Sequence, residues 1–112
     1  MTEKIHDTLD EIEDKSCEFA SKVYAEKRDN ATIVLGAVDH EHAGVIPHVY
    51  NKDGEHVVDA TAGVNTLTDD EHLVVKGNEH PHAVELAEFE TYEEFKSSDE
   101  WHNAEELAQE AL

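Results

Sequence analysis

Apolar side chains recur at Ile5, Leu9, Ile12, Phe19 and Val23. This three- and four-residue spacing marks one face of a helix, with Ser16 filling the gap in the stripe. Asp29-Asn30 ends that segment. The period then changes. Thr32 to Val38 is nearly all apolar and predicts a central strand. His40 to Gly44 reads as a turn, and Val45 to Tyr50 as a second strand in which Pro47 marks an edge or a bulge. Asp53-Gly54 is a two-residue hairpin signal. A third strand is expected over Glu55 to Ala62, a polar loop over Asn65 to Glu71 and a fourth strand over His72 to Lys76. Gly77 to Pro81 turns the chain again. Ala83 to Phe89 predicts a fifth strand, although Ala-Val-Glu-Leu-Ala-Glu would also open a helix. Thr91-Tyr92-Glu93-Glu94 and Ser97-Ser98-Asp99-Glu100 have capping-box form. The C-terminus is therefore expected to be helical, with Phe95, Trp101, Ala104, Leu107, Ala108 and Ala111 facing inward.

The order is an N-terminal helix, an antiparallel meander of four to five strands, then a C-terminal helix or helices. That is an α+β fold, expected as a single domain over residues 1–112. Charge adds to the picture. Acidic residues number 28 against 8 basic ones, a formal charge of −20. Such a surface repels nucleic acid and anionic membranes, whose binding needs Lys and Arg. No 18-residue apolar run and no apolar segment after Met1-Thr2-Glu3-Lys4 is present, so neither a membrane span nor a signal peptide is read. A cytoplasmic setting in a halophilic archaeon, or in a virus of such a host, accounts for the charge, because salt screens self-repulsion. A polyanion that occupies a partner's basic groove accounts for it too. The acidic residues are spread along the chain rather than gathered in a tail, which favours salt adaptation.

Candidate chemistry lies around the hairpin. A turn at Asp53-Gly54 pairs Lys52 with Glu55. Counting outward then sets His48 opposite Asp59, with Cβ atoms about 4.5–5.5 Å apart on one face. An Asp so placed fixes the imidazole tautomer and stabilises the imidazolium, the orienting role in a nucleophile–His–Asp triad. The single cysteine, Cys17, lies upstream on the first helix and rules out an internal disulfide framework. A protonated histidine beside it would hold it as the reactive thiolate.

A Cys on an early helix, His48-Val49-Tyr50 on a strand, the Gly54 turn and Asp59-Ala60-Thr61 stand in the order seen in transglutaminase-like cysteine proteases. Over roughly Ser16 to Thr61 the chain resembles this branch of the papain-like superfamily, closest to the small leader peptidases of lasso-peptide maturation. The resemblance implies a minimal papain/transglutaminase-like core. It also implies a thiol nucleophile at Cys17, a general base at His48 and an orienting acid at Asp59. The expected activity is cysteine-dependent hydrolysis or acyl transfer at a peptide, isopeptide or amide bond, with a peptide or protein substrate. Three features depart from the family. Glu18 stands where an aromatic residue commonly follows the Cys. No upstream Gln or Asn offers an oxyanion donor. The helical stripe also predicts one long helix with Cys17 in its middle rather than at its N-terminus. A break at Asp14-Lys15-Ser16, capped by Asp14 or Ser16, would restore that last feature.

Two His-x-His pairs, His40/His42 and His80/His82, are candidate ligands for Zn²⁺, Ni²⁺ or Cu²⁺. Both sit in expected turns, where solvated histidines are the ordinary reading. No phosphate loop, serine elbow or two-cysteine metal half-site is present, and no cofactor is expected. The alternative function is a non-catalytic acidic binding, inhibitor or structural protein with a basic protein partner. The sequence leaves the oligomeric state open.

The charge yields a test. In about 0.01 M salt the screening length grows to about 30 Å and the acidic groups repel across the whole domain. Thermal midpoints should therefore rise from low-salt to molar KCl. An unchanged midpoint would favour the polyanion reading.

Overall fold

A computed structural model describes residues 2–12, 16–40, 43–62 and 72–112. The expected loop over Asn65 to Glu71 lies outside them, as do Asp14, Lys15 and His42.

The single N-terminal helix is replaced by two. Helix α1 (Thr2–Asp10) buries Ile5 and Leu9, with Ile12 packed beside them. Helix α2 (Cys17–Lys27) starts afresh with Ser16 at its N-cap. Asp7, Asp10 and Glu11 are three and four residues apart at the end of α1, where like charges repel and the helix dipole is negative. Phe19, expected to face inward, is 50% exposed. The inner face of α2 is instead Ala20, Ser21 and Tyr24.

Five antiparallel strands follow: β1 (Ala31–His40), β2 (Gly44–Asp53), β3 (His56–Asp59), β4 (Leu73–Lys76) and β5 (Val84–Phe89). Their order is β4-β3-β2-β1-β5. The first four form the meander, and segment 77–83 crosses the sheet to bring β5 beside β1. Ile33, Leu35, Val49 and Val58 face the helices. Val34, Tyr50 and Val57 face the other way, packed by Val75 and by Ala83 of the crossover. Strand β1 is thus buried on both sides, as its unbroken apolar run requires. Gly36 makes the crossover side possible, since a Cβ there would lie 2.9 Å from both the Tyr50 ring and the Val84 carbonyl. Pro47 lies on the part of β2 that β3 does not pair, so its missing N–H costs nothing there.

The C-terminal segment forms α3 (Tyr92–Ser97), α4 (Asp99–His102) and α5 (Ala104–Ala111). Thr91 accepts the Glu94 N–H and Ser98 accepts the Trp101 N–H, so the second cap sits one residue later than Ser97. Phe95, Ala104 and Ala108 are buried, whereas Ala111 is exposed at the end of α5. Among the described residues no helix is long and apolar enough to cross a membrane.

The β2–β3 hairpin differs from expectation by two residues in register. Asp53 pairs with His56 and Asn51 with Val58, so the loop is Gly54-Glu55. Gly54 has φ 60°, which suits the first loop position of a primed turn. The reason lies in Asp53, which is drawn into the strand by α2. Tyr24 Oη donates to its Oδ2 at 2.7 Å and Arg28 Nε donates to the same oxygen at 2.8 Å. A two-residue slip preserves side-chain parity. His48 and Asp59 therefore stay on one face but stand diagonally, with Tyr50 at the level of Asp59.

Cys17, Ser21, Tyr24 and Arg28 are one stripe of α2, and they lie along β2. Cys17 packs in the cluster with Val49, Asn51 Nδ2 donates to the Ser21 carbonyl, and Asp53 accepts from Tyr24 and Arg28. Asp53→Ala should remove about 2–4 kcal/mol of stability, because it leaves the fully buried Tyr24 hydroxyl and the Arg28 charge without an acceptor. Urea unfolding measures this, and a loss below about 0.5 kcal/mol would show the seam to be dispensable.

Candidate active site

His48 projects from β2 toward the crossover side, just beyond the end of the β3 ladder. Its Nε2 lies 2.6 Å from Asp59 Oδ2, and both side chains are fully buried. Asp59 Oδ1 accepts the Thr61 N–H at 3.1 Å. A third side chain joins them: His80 Nε2 lies 2.8 Å from the same Oδ2. The ring of Tyr50 stacks on His48 at 6.1 Å and meets His80 edge-on at 4.8 Å.

Cys17 is the first residue of α2 and is half-buried. Its helix packs on the opposite side of the sheet from His48, contrary to the expectation that Cys17, His48 and Asp59 would share one packed face. Because β3 pairs only with positions 51–53 of β2, the edge at His48 is clear of that ladder. Cys17 is near enough to add to the raised proton affinity of His48. With Nε2 held by Asp59, the remaining ring nitrogen is Nδ1, which is buried and has no hydrogen-bond partner among the described residues.

Burial alone would drive the His48 imidazole toward its neutral form. The hydrogen bond to Asp59 and its negative charge, with Cys17 nearby, outweigh it and lift the pKa to about 9. Burial likewise works against the Asp59 carboxylate, but hydrogen bonds from His48 and His80 hold its pKa at about 2. His48 is thus an imidazolium at neutral pH, and Asp59 its counter-ion. Glu18, the neighbour of the thiol, is bound by the Tyr92 hydroxyl and by Lys96 on α3. Burial opposes its ionisation, and these two partners bring its pKa below the ordinary value.

The His-x-His pairs do not form a joint site among the described residues. His40 Nδ1 accepts the Ala43 N–H, and His82 is exposed. His80 is the member of those pairs that enters a donor cluster, and its partners are His48 and Asp59. Two imidazoles and a carboxylate are a donor set a transition metal accepts. Here, however, two nitrogens lie 2.6 and 2.8 Å from one oxygen. Ligands of a tetrahedral ion with bonds of about 2.0–2.1 Å stand roughly 3.3 Å apart. The spacing is that of shared protons. His80 was legible in the sequence only as a turn histidine, because its partner Asp59 lies on a strand 21 positions earlier.

The folded value of His48 is raised from 6.5 to about 9, so its contribution to stability is complete below about 6.5 and is lost as pH rises through about 9. Asp59 is lowered from 3.8 to about 2, so its contribution is present above about 3.8 and is lost as pH falls toward 2. In molar KCl, the stability gap between wild type and His48→Gln should be widest near pH 4–6.5 and should narrow steadily up to pH 9. A gap that stays constant over that range would show His48 to be neutral in the folded protein.

No protein-family model, no curated protein and no solved structure matches the chain, so the assignment of its chemistry rests on these residues alone.

Proposed function

We propose that the protein is a cysteine-dependent hydrolase or acyltransferase acting on a peptide, isopeptide or amide bond, with Cys17 as nucleophile, His48 as general acid–base and Asp59 as orienting acid. The transglutaminase-like resemblance and the geometry point the same way. The observation that carries the reading is the fully buried 2.6 Å His48–Asp59 pair, whose free ring nitrogen is left for a cysteine at a helix N-terminus. A helix start stabilises a thiolate, and so does an imidazolium.

In this mechanism the Cys17 thiolate attacks the carbonyl carbon, and the C=O pair moves onto oxygen. Intrahelical bonding in α2 begins with Ala20 N–H donating to the Ser16 carbonyl at 2.9 Å, and the Ser16 side chain caps no amide. The amides of the first turn are thus open to the developing oxyanion, which offsets the lack of an upstream Gln or Asn. The His48 imidazolium gives its proton to the leaving amine as the C–N bond breaks, and a thioester remains on Cys17. Water or an amine then attacks the thioester as His48 takes its proton, and Cys17 is released. Asp59 holds the ring through Nε2 in both steps. The setting we infer is the cytoplasm of a halophile or its virus, a reading supported by the charge of −20 spread along the chain.

Iodoacetamide alkylation of Cys17 tests the reading without a known substrate. At pH 6 an ordinary thiol is almost wholly protonated, so a thiolate held by His48 should react about tenfold faster or more than Cys17 in His48→Ala. Cys17→Ala should abolish amide or peptide turnover and leave the fold intact. Equal alkylation rates in wild type and His48→Ala would defeat the proposal.

A further inference from the structure

We propose that His80 is a positioning residue of this site, donating from Nε2 to the same Asp59 oxygen that receives His48 and so keeping the carboxylate ionised and aimed at the catalytic ring. For its catalytic meaning this rests on the Cys17–His48–Asp59 reading; for its electrostatics it does not.

The protonation state of His80 follows from its neighbours. The His82 backbone N–H donates to His80 Nδ1 at 2.9 Å. A ring nitrogen that accepts a hydrogen bond carries no proton, so the proton of His80 sits on Nε2, facing Asp59. Pro81 between the two histidines helps fix this local turn, since its φ is set by the ring. Tyr50 then packs the imidazole edge-on at 4.8 Å, and the His80 side chain is fully buried. Every degree of freedom of that ring is taken up in presenting one N–H to one oxygen.

This arrangement balances the buried charge. Asp59 is negative, His48 positive and His80 neutral, so the cluster carries no net charge away from water. Three donors meet the carboxylate: Thr61 N–H on Oδ1, and His48 and His80 on Oδ2. Without His80 the buried carboxylate loses a donor and is freer to rotate or to take up a proton. Either event removes the anion that holds His48 as an imidazolium. The groups facing His48 are Asp59 from β3, Cys17 from α2, Tyr50 from its own strand and the edge of His80 from the crossover, 6.1 Å away. Of these, His80 acts through Asp59 rather than on the substrate.

The test uses ¹⁵N-edited NMR of the imidazoles in the full chain. In the wild type, His80 should show a protonated Nε2 and an unprotonated Nδ1. In His80→Leu the titration midpoint of His48 should fall by about one pH unit or more, and His80→Gln, whose amide N–H reaches the same oxygen, should recover most of the shift. A His80 ring protonated on Nδ1 alone would overturn the proposal, and this arm needs no variant to fold. An unchanged His48 midpoint in folded His80→Leu would overturn it as well. Cys17 alkylation by iodoacetamide across pH in the same proteins keeps the two ideas apart. If the His48 midpoint shifts while alkylation does not respond, His80 still positions Asp59 and the cysteine chemistry is what fails.

Discussion

The register between α2 and β2 is the constraint on which the site depends. A helix advances about 1.5 Å per residue and a strand about 3.4 Å, so a helix laid along a strand meets it in step only if several contacts agree. Here three do: Arg28 and Tyr24 on Asp53, the Ser21 carbonyl on Asn51, and Cys17 on the cluster that includes Val49. Asn51 also donates to the Thr32 carbonyl of β1, which ties the seam to the middle of the sheet. The last of these sets Cys17 on the cluster that holds Val49, the residue that follows His48. A slip of one helical turn at Asp53 would carry the cysteine about 5.4 Å from the imidazole. The ion pair at the far end of the seam thus sets where Cys17 stands along the strand.

The His48–Asp59–His80 cluster is buried, and apolar side chains would fill the same space without the desolvation penalty of charge. Its position makes sense if the charges are used. Burial raises the strength of each hydrogen bond, excludes competing water and leaves Nδ1 of His48 as the unsatisfied nitrogen. The cost is met by the surroundings: the Tyr50 ring and the crossover form the outer wall, and Gly36 makes room for the ring to lie there.

Much of the fold could be read from the chain. The strand runs, the cap at Thr91 and the parity of His48 with Asp59 all follow local rules, and local rules decided them. The readings that failed depended on contacts between distant segments. Phe19 is in phase with Ile5 and Leu9, but the helix breaks between them, so the shared phase carries no information. The hairpin loop moved because Asp53, a good turn residue, is a better acceptor for Arg28 and Tyr24. His80 looked like a solvated turn residue because nothing in its neighbourhood reveals that the crossover lays it over Asp59. Periodicity describes one element at a time, whereas the site is assembled from four.

Salt separates the two kinds of electrostatics in this protein. At molar ionic strength the screening length is about 3 Å, which removes most of the repulsion among the surface carboxylates. It also weakens exposed pairs such as Lys22–Glu26 at 4.0 Å and Lys27–Glu11 at 3.3 Å, whose worth is small in any medium. The buried cluster admits no ions, so its hydrogen bonds keep their strength while the surface charges are silenced. An imidazolium exposed on so acidic a surface would have its proton affinity set by whatever salt surrounded it. Enclosed between β2, β3 and the crossover, His48 answers instead to Asp59 and Cys17, and its protonation becomes a property of the fold rather than of the medium.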